Sequence, residues 1–295
     1  MEKYIINEIV NDYITKGSDA FSVIYNQNNT LVIEHPKYPK YLLKLSKKNF
    51  KSSQIQSNIL SSISNKNNNI SRILYTQIYE DNGNKRTMEI IDKLNGKPKK
   101  EYSNYDIENV IHATKQLHNN LNENKIKYRE KLPFIGDLFS SIVDNTASKK
   151  LKSIANRIQN DYAYEKILDI ENQFITIADL VYENILIYKD TINFIDLDPI
   201  ILGPKELQFS ILLTSNLLIQ SNQFMNLNMK LIKSYANLWG FEKTSREDLI
   251  SLTIFPLLIL AMKQVDIDSL IENTDSMYFK LKTILLFIVD KLYTQ

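Results

Sequence analysis

Residues 174–199, FITIADLVYENILIYKDTINFIDLDP, alternate apolar runs with isolated Asp and Asn residues. The first run ends in Asp179, and Asn184 leads directly into the second run. A short polar turn separates the second run from a third, which ends in Asp196, with Asp198 two residues further on. Apolar runs of this length between polar turns predict short β-strands. The last two strands would flank a turn and present carboxylate and amide oxygens at their ends.

This supply of oxygen atoms suits phosphoryl transfer. In that reaction one carboxylate orients the attacking hydroxyl and accepts its proton, while an Asn and an Asp hold magnesium against the nucleotide phosphates. Turns rich in Asp also occur where there is no chemistry. A hairpin with solvated Asp residues at its ends is therefore the alternative interpretation.

The same stretch resembles the catalytic segment of the aminoglycoside phosphotransferase and choline kinase-like family, whose members are relatives of the protein kinases. Ala178–Leu186 matches the D-x-x-x-x-N-I-L part of that segment, and Phe194–Asp198 matches the I-D-F-D form of its second part. The resemblance implies a kinase that uses ATP or GTP to phosphorylate a hydroxyl of a small molecule. It makes Asp179 the catalytic residue that accepts the hydroxyl proton, and it makes Asn184 and Asp196 the ligands of Mg²⁺.

The resemblance also implies an α+β, two-lobed protein kinase-like fold. A small N-terminal lobe of antiparallel sheet would span residues 1–92 and bind the nucleotide. A larger, mostly helical lobe would span residues 93–295 and contain the catalytic loop and the acceptor site. The nucleotide would lie between the two lobes, and Asp198 would add a further contact.

Two segments near the N-terminus match the phosphate-binding part of this family. Tyr41–Leu45 is an apolar strand with a single embedded lysine, Lys44, which is costly to bury without an anionic partner. The resemblance makes Lys44 the contact to the α and β phosphates, and an edge-strand lysine is the alternative. Residues 17–25 and 30–35 predict a β-hairpin. Its small and polar start, with Ser18, would let backbone amides approach the phosphates.

The segment Met88–Pro98 resembles the hinge of the family, whose backbone binds the edge of the adenine ring. The predicted contacts are Glu89 and Ile91. Because backbone atoms do the binding, the side chains in this segment are not constrained by it.

Three departures from the family pattern concern residues that support the chemistry. Ile177 and Ala178 stand where the family has His and Gly, and Gln208 stands where it has an Asp that steadies the catalytic loop. The helix predicted to follow the lysine-bearing strand has no acid to pair with the lysine, so that Gln54 or Gln56 must replace it. An amide lacks the Coulomb attraction of a full charge, which is about 4 kcal/mol for a pair at an effective dielectric constant of 20.

These departures leave a second class of function open, a pseudokinase or a nucleotide-binding regulatory module without turnover. The three residues with direct chemical roles are all present, and this favours the enzyme. A protein kinase is a weaker alternative. No long activation segment lies between Asp198 and Gly203.

The acceptor is not identified by the sequence. An aminoglycoside-like antibiotic, a sugar or an amino alcohol all fit the resemblance. Acidic residues in the C-terminal half are equally well explained as helix caps and exposed faces. A choline site would need clustered aromatic rings, and Tyr235 and Trp239 at helical spacing favour a core position instead.

His118 is predicted to pack in the core of an amphipathic helix over residues 107–121 and to be hydrogen-bonded there. A metal-binding role is not favoured, since three His and no Cys provide no ligand cluster by spacing.

Further signals predict the helical remainder of the chain. Gly240 is expected to cap the C-terminus of a helix over 224–238, and Ser245 to cap the N-terminus of the next, which Pro256 would kink or split. Other helices are predicted at the N-terminus, within 133–172, over 207–219 and over 277–292.

Composition agrees with one kinase-like unit. A chain of 295 residues with 43% hydrophobic residues can bury a sizeable core. A net charge of +2 and a basic run without interleaved aromatic residues argue against nucleic acid. The apolar run Leu252–Met262 is too short for a membrane span of roughly 20 residues. The lack of cysteine and of a signal-peptide core favours the cytoplasm. The oligomeric state is not indicated.

Overall fold

The computed structural model describes residues 2–27, 30–46, 55, 58–60, 63, 69–81, 84–123, 131–169, 173–197, 199–218, 227–241, 245–268, 270 and 276–294. Gln54, Gln56 and Asp198, for which the sequence suggested supporting roles, lie outside this set.

The helices and strands follow in chain order. They are α1 (Glu2–Lys16), β1 (Ser22–Gln27), β2 (Thr30–Glu34), β3 (Tyr41–Ser46), β4 (Ile73–Asp81), β5 (Asn84–Asp92), β6 (Lys97–Pro98), α2 (Asn104–Asn122), α3 (Ile135–Asp144), α4 (Lys149–Gln159), α5 (Tyr162–Ile167), β7 (Gln173–Ile177), β8 (Ile185–Tyr188), β9 (Thr191–Phe194), β10 (Ile200–Pro204), α6 (Leu207–Leu212), α7 (Met229–Trp239), α8 (Arg246–Met262) and α9 (Met277–Tyr293). Two 3₁₀ segments, Ser18–Ala20 and Tyr182–Asn184, and a π-helical turn, Leu213–Leu217, complete the described elements.

The residues group into two compact units, which are residues 1–97 with 186–196, and residues 98–185 with 197–295. The sequence-based division at 92 and 93 differs in two respects. The first unit continues beyond the end of β5, and it also takes in most of β8 and all of β9. Long-range hydrogen bonds explain this second difference. Phe194 donates its N–H to the carbonyl of Asn69 (2.8 Å), and Asn193 Nδ2 donates to the carbonyl of Asn95 (2.8 Å).

The first unit is built on an antiparallel five-stranded sheet in the order β1-β2-β3-β5-β4. Its apolar core lies between this sheet and α1. The buried side chains of that core are Ile6, Ile9, Val10, Tyr13, Phe21, Ile33, Leu43, Leu45, Met88 and Ile90. Side chains alternate between the faces of a strand. Since Leu43, Leu45, Met88 and Ile90 face α1, the intervening Lys44 and Glu89 lie on the opposite face.

The second unit contains helices α2 to α9 and a two-stranded antiparallel sheet, β10-β7, in which Ile177 is paired with Ile200. Strands β6, β8 and β9, most of whose residues belong to the first unit, form a further sheet in the order β6-β8-β9. The β8–β9 hairpin and its polar turn confirm the two strands that the sequence predicted there.

Several predicted helix ends are confirmed. Gly240 ends α7 in a left-handed conformation (φ 106°) and donates its N–H to the carbonyl of Ala236 at 2.9 Å. Ser245 caps α8 in a reciprocal capping box with Asp248. Of the two effects predicted for Pro256, a kink or a split, the split does not occur, because α8 runs through the proline. Nearly every residue around Pro256 is buried, so tertiary packing holds the helix together despite the lost hydrogen bond.

Candidate functional site

The catalytic loop predicted from the sequence lies between β7 and β8 in the second unit. Its first anchor is Gln208 of α6, which is 1% exposed. The side-chain oxygen of Gln208 accepts the N–H of Ile177 (2.8 Å), and its Nε2 donates to the carbonyl of the same residue (3.1 Å). A carboxylate could only accept, whereas an amide does both. Two departures from the family pattern, Ile177 and Gln208, are therefore joined by one pair of hydrogen bonds.

Further anchors hold the next loop residues. Ala178 donates its N–H to the carbonyl of Pro199 at 2.9 Å. The carbonyl of Leu180 accepts longer hydrogen bonds from Ser215 Oγ (3.4 Å) and Asn216 Nδ2 (3.3 Å). Both donors belong to the π-helical turn at Leu213–Leu217, and single π-helical turns are often found at functional sites.

Asn184 closes the loop at its other end. The side chain is 8% exposed, and its Nδ2 donates to the carbonyl of Asp179 at 3.0 Å. The backbone N–H of Asn184 donates to the carbonyl of Val181 (3.0 Å) within the 3₁₀ turn Tyr182–Asn184. Asp179 and Asn184 are thus held as one unit, and the Asp179 side chain is partly exposed.

In the first unit the structure brings together Lys44 and Asp196, which are 152 residues apart in the sequence. The Lys44 ammonium donates to Asp196 Oδ1 in an ion pair. The Lys44 side chain is 12% exposed and that of Asp196 is 48% exposed. Strand β3 lies between β2 and β5, so the alternative of an edge-strand lysine is wrong. The anionic partner that such a lysine requires is Asp196.

Asp196 has an unusual backbone. Its φ is 49°, in the left-handed region that Asp adopts more readily than most residues. The strand before it is anchored from two sides, because Phe194 donates to Asn69 O and Ser71 donates its N–H to the carbonyl of Phe194 at 3.1 Å. This anchoring turns the chain sharply after β9 and directs the Asp196 carboxylate to Lys44.

Glu89 and Ile91, the predicted adenine contacts, lie inside β5, which is paired on both sides. Glu89 is opposite Lys44 of β3 and Thr76 of β4, and Ile91 is opposite Leu42 and Ile73. The Glu89 side chain is buried, with 2% exposure.

The rest of the hinge segment follows the end of β5. Gly96 has φ 113°, and a Cβ at this position would lie 3.0 Å from the carbonyl carbon and oxygen of Ile187. Only glycine allows this approach between the segment and β8 without strain. The carbonyl of Asn95 is held by Asn193, so that the segment is fixed against the β8–β9 hairpin.

Ser18 lies in the 3₁₀ segment that follows α1. The predicted hairpin included residues 17–21 in its first strand, but β1 begins at Ser22. The reason is local, because Gly17 donates its N–H to the carbonyl of Tyr13 (2.9 Å) and Phe21 donates to Ser18 (3.0 Å). These bonds extend the helical turn instead of opening a strand.

His118 is buried as predicted, at 4% exposure, and it stacks on Phe174 with ring centroids 5.8 Å apart. The expected hydrogen bond is absent, since neither ring nitrogen has a partner within the described residues. Burial lowers the pKa of His118 to about 4. The ring is therefore neutral at physiological pH and acts as an aromatic core residue.

The sequence did not identify Ser215 and Asn216 as loop supports. The available signal was a short polar run, Thr214 to Asn216, inside an otherwise apolar helical stretch. All three residues are buried, and polar groups are rarely buried without hydrogen bonds.

Neither metal ligands nor membrane spans stand out in the described part of the chain. No group of three or more His, Cys, Asp or Glu side chains is placed there to hold a metal ion. Among the described helices, none is sufficiently long and apolar to cross a membrane.

Comparison with protein-family models and with curated protein sequences finds no match. Solved structures do match over nearly the whole chain. The amicoumacin kinase hAmiN in complex with AMP-PNP, Ca²⁺ and Ami has a TM-score of 0.67 and 13% identity, with coverage of 99% of this chain and 96% of the other. The aminoglycoside phosphotransferase APH(4)-Ia has a TM-score of 0.66 and 11% identity, with coverage of 95% and 97%.

The GDP complex of aminoglycoside 2'-phosphotransferase-IIIa is similar to this chain with a TM-score of 0.59 and 10% identity, covering 97% of this chain and 99% of the other. At these identities the likeness concerns the fold. The prediction of an α+β, protein kinase-like fold of the aminoglycoside phosphotransferase type is confirmed.

Proposed function

We propose that this protein is a kinase that transfers the terminal phosphoryl group of ATP or GTP to a hydroxyl of a small molecule. The observation that carries the proposal is the ion pair between Lys44 and Asp196. The sequence assigned these residues separately to phosphate and metal binding, and a kinase needs both next to the nucleotide phosphates.

Asp179 is proposed as the group that receives the proton. The acceptor oxygen forms a bond to the terminal phosphorus, the bond from that phosphorus to the bridging oxygen of the nucleotide breaks, and the hydroxyl proton moves to the Asp179 carboxylate. The loop hydrogen bonds support this role, because the carbonyl of Asp179 is fixed by Asn184 and its neighbours by α6 and the π-helical turn.

Asn184 and Asp196 are proposed as the ligands of Mg²⁺. The donors fit this ion, which prefers oxygen and is commonly bound through one or two carboxylates together with substrate phosphates. The Asp196 side chain is 48% exposed and accessible to an ion. Nδ2 of Asn184 donates to Asp179 O, and only the oxygen of an amide side chain can ligate a metal ion. Bound Mg²⁺ would neutralise charge that develops on the phosphoryl oxygens.

The nucleotide base is proposed to bind the backbone of the hinge segment. Glu89 and Ile91 have strand neighbours on both sides, and an antiparallel ladder uses the backbone groups of its central strand. In the segment that follows β5, Lys93 donates its N–H to the carbonyl of Lys40 (2.9 Å) and the carbonyl of Asn95 accepts from Asn193. The backbone of Leu94, between them, is therefore the better candidate. Ser18 remains a proposed phosphate contact through its backbone.

The acceptor is proposed to be an aminoglycoside-like antibiotic, a sugar or an amino alcohol. Two of the similar structures contain nucleotides, AMP-PNP with Ca²⁺ in one and GDP in the other. These complexes are consistent with either ATP or GTP as the donor. The cytoplasm is the proposed location, where both donors are available.

The proposal is tested by replacing the proton acceptor. Asp179→Asn should lower turnover by roughly 100- to 10,000-fold, which is the usual contribution of a general base, and should leave nucleotide affinity nearly unchanged. Turnover is measured by nucleoside diphosphate release with a panel of hydroxylated antibiotics, sugars and amino alcohols, and affinity by calorimetry.

Asp190→Asn is the matched control, because Asp190 is exposed in the β8–β9 turn. Turnover in Asp179→Asn equal to that of the control would remove Asp179 from the mechanism. Nucleotide binding without turnover for every acceptor would instead support a regulatory binding module.

A further inference from the structure

The short segment before β4, residues 69–72, is hydrogen-bonded to two strands of the first unit at once. On one side it holds β9. Phe194, the last residue of β9, donates its N–H to the carbonyl of Asn69 (2.8 Å) and accepts at its own carbonyl from the N–H of Ser71 (3.1 Å). Ile70, between these two residues, is buried and forms a parallel β-bridge with Phe194.

On its other side the 69–72 segment holds Asp92, the last residue of β5. The N–H of Asp92 donates to the carbonyl of Arg72 (3.1 Å), and its carboxylate accepts from the Arg72 guanidinium. The carbonyl of Asp92 accepts from Ser71 Oγ at 2.6 Å. Ser71 is 7% exposed, so its hydroxyl bond is largely shielded from water. Asp92 is therefore fixed two residues before Leu94, whose backbone is the proposed contact to the base.

The chain is also held on the far side of Leu94. Asn193 Nδ2 donates to the carbonyl of Asn95 at 2.8 Å, and the Asn193 side chain is buried. Asn193 precedes Phe194 in β9, so the same strand supports the chain on both sides of Leu94. Two residues after Phe194 comes Asp196, the proposed metal ligand. The proposed base contact and the proposed metal ligand are thus connected to one short strand.

This connection matters because a kinase binds the base and the phosphates of the same nucleotide. Their separation has to match the geometry of the reaction, and a misplacement of about 1 Å can cost roughly 100-fold in rate. Ser71 bonds to β9 through its backbone and to β5 through its side chain. A substitution that removes only the hydroxyl therefore breaks one connection and keeps the other.

We propose that Ser71 and Asn193 are positioning residues for the nucleotide base, which hold the backbone of Leu94 at a fixed place relative to β9. The inference rests on the proposed function, since it takes the base to bind at Leu94 and the metal ion at Asp196. Neither side chain is assigned a contact with the nucleotide. Both act through the backbone on either side of Leu94.

The test begins with Ser71→Ala, which removes the hydroxyl bond to Asp92 and leaves the backbone bonds to Phe194. Calorimetry compares two probes, the Mg²⁺ complex of ATP or GTP and the Mg²⁺ complex of inorganic triphosphate. Affinity for the nucleotide should fall about three- to tenfold, the usual effect of losing one hydrogen bond. Affinity for triphosphate, which has no base, should be unchanged, because Lys44 and Asp196 keep their supports. A merely structural role would not separate the two probes.

Asn193→Ala tests the second support through a different contact. It removes the bond to the carbonyl of Asn95, and it should produce the same selective loss of nucleotide affinity. Both variants should also speed amide hydrogen exchange in residues 93–96 of the protein without ligand, because fewer bonds then hold this part of the backbone. Exchange is measured by mass spectrometry, and it requires neither nucleotide nor turnover.

Thr253→Val is the matched control. Thr253 is fully buried in α8 of the second unit, and its Oγ1 donates to the carbonyl of Ile250 at 2.6 Å. The variant therefore also loses one hydroxyl bond to a backbone carbonyl. Its affinity for both probes and its exchange in residues 93–96 should equal those of the parent. A selective loss of nucleotide affinity in this control would contradict the inference.

The possible outcomes separate the inference from the proposed function. Equal losses for both probes, or no loss for the nucleotide, in either Ser71→Ala or Asn193→Ala overturns the inference, even if the parent phosphorylates an acceptor. A selective loss in a protein that turns over no acceptor supports the inference and counts against phosphoryl transfer alone. A parent protein that binds neither ATP nor GTP overturns both.

Discussion

Two regions of this molecule hold their key residues by opposite means. On the first unit, Lys44 and Asp196 are held by charge. In the second unit, the loop that contains Asp179 is held by neutral amides and hydroxyls, from Gln208, Ser215 and Asn216. The difference shows why an amide suits position 208, since Gln208 both donates to and accepts from the backbone of Ile177 in a buried environment.

Three pKa shifts in the second unit favour neutral forms. Burial raises the pKa of Tyr102 to about 12 and lowers that of His118 to about 4. Burial also raises the pKa of Glu206, next to α6. Because burial in this region disfavours charged side chains, the neutral Gln208 is more favourable at this position than an acid would be.

In part of the first unit, the pKa shifts favour charged forms instead. Hydrogen bonds from Lys37 and then Tyr38 lower the pKa of Glu8, and those from Lys16 and then His35 lower the pKa of Asp12. These groups lie where α1 meets the turn after β2. There solvent and opposite charges keep the carboxylates ionised.

Among variants that test this comparison between the two units, the largest effect is expected from breaking the amide anchor. Gln208→Leu should destabilise the protein by about 2–4 kcal/mol, because it leaves a buried N–H and a buried carbonyl of Ile177 unpaired. Turnover should fall by roughly 10- to 100-fold as the Asp179 loop shifts. Denaturant unfolding and steady-state kinetics measure the two effects.

Gln173→Leu is the control for this substitution. Gln173 is also buried and also donates to backbone carbonyls, those of Ile167 (2.9 Å) and Asp169 (2.8 Å), but at the far end of β7. A similar loss of stability with normal turnover is expected. Equal kinetic losses in both variants would contradict a specific role of Gln208.

A smaller effect should follow from neutralising Glu206, the partly buried acid next to α6. Because the pKa of Glu206 is raised in the folded state, its ionisation costs stability. That cost appears as the pH rises above about 4.5, the pKa of the unfolded chain, and is complete above the folded pKa. Glu206→Gln should therefore raise the Tm at pH 7 and leave it unchanged at pH 4.

The comparison residue for that experiment is Glu165, which is exposed in α5. Its replacement by Gln should not change the Tm profile between pH 4 and pH 7. A Glu206→Gln variant that is less stable than the parent at pH 7 would show that the Glu206 carboxylate is stabilising, contrary to the burial argument.

The smallest effect should depend on pH in the opposite direction, because here the ionised carboxylates stabilise the folded state. The pKa values of Glu8 and Asp12 are lowered in the folded state, so their stabilising contribution is present above about 4.5 and is lost as the pH falls below about 4. Glu8→Gln with Asp12→Asn should lower the Tm slightly at pH 6 and flatten its fall toward pH 3. Thermal unfolding across this range is the measurement, and a profile identical to that of the parent would refute the assignment.

Much of the fold could be predicted from the sequence because its signals are local. The lysine-bearing strand, the β8–β9 hairpin, the helix caps at Gly240 and Ser245 and the core position of His118 all follow from periodicity and turn chemistry within a few residues. The wrong predictions also concern short segments, in which local hydrogen bonds or tertiary packing outweighed the sequence signal. Gly17 to Phe21 extends a helical turn, and Pro256 is accommodated inside α8.

The long-range hydrogen-bond and cross-strand partners of each residue could not be predicted in the same way. Gln208 looked like a lost acid, yet it binds a backbone 31 residues away. Glu89 looked like part of a hinge, yet the strand register places it opposite Lys44. Sequence spacing contains no information on which strands pair or in which register, since that depends on burying the alternate face against α1.

The sequence alone identified the candidate functional residues. They lie at the ends or in the middle of recognisable strands, and they are Lys44, Asp179, Asn184 and Asp196. Local propensity and pattern are sufficient for that, because each feature depends on neighbouring residues. Only the tertiary structure decided that Lys44 meets Asp196 across 152 residues of chain, and that neutral amides hold the Asp179 loop. Both outcomes depend on long-range packing, which sets the burial of each group and so decides whether charge or hydrogen bonding is the more favourable way to hold it.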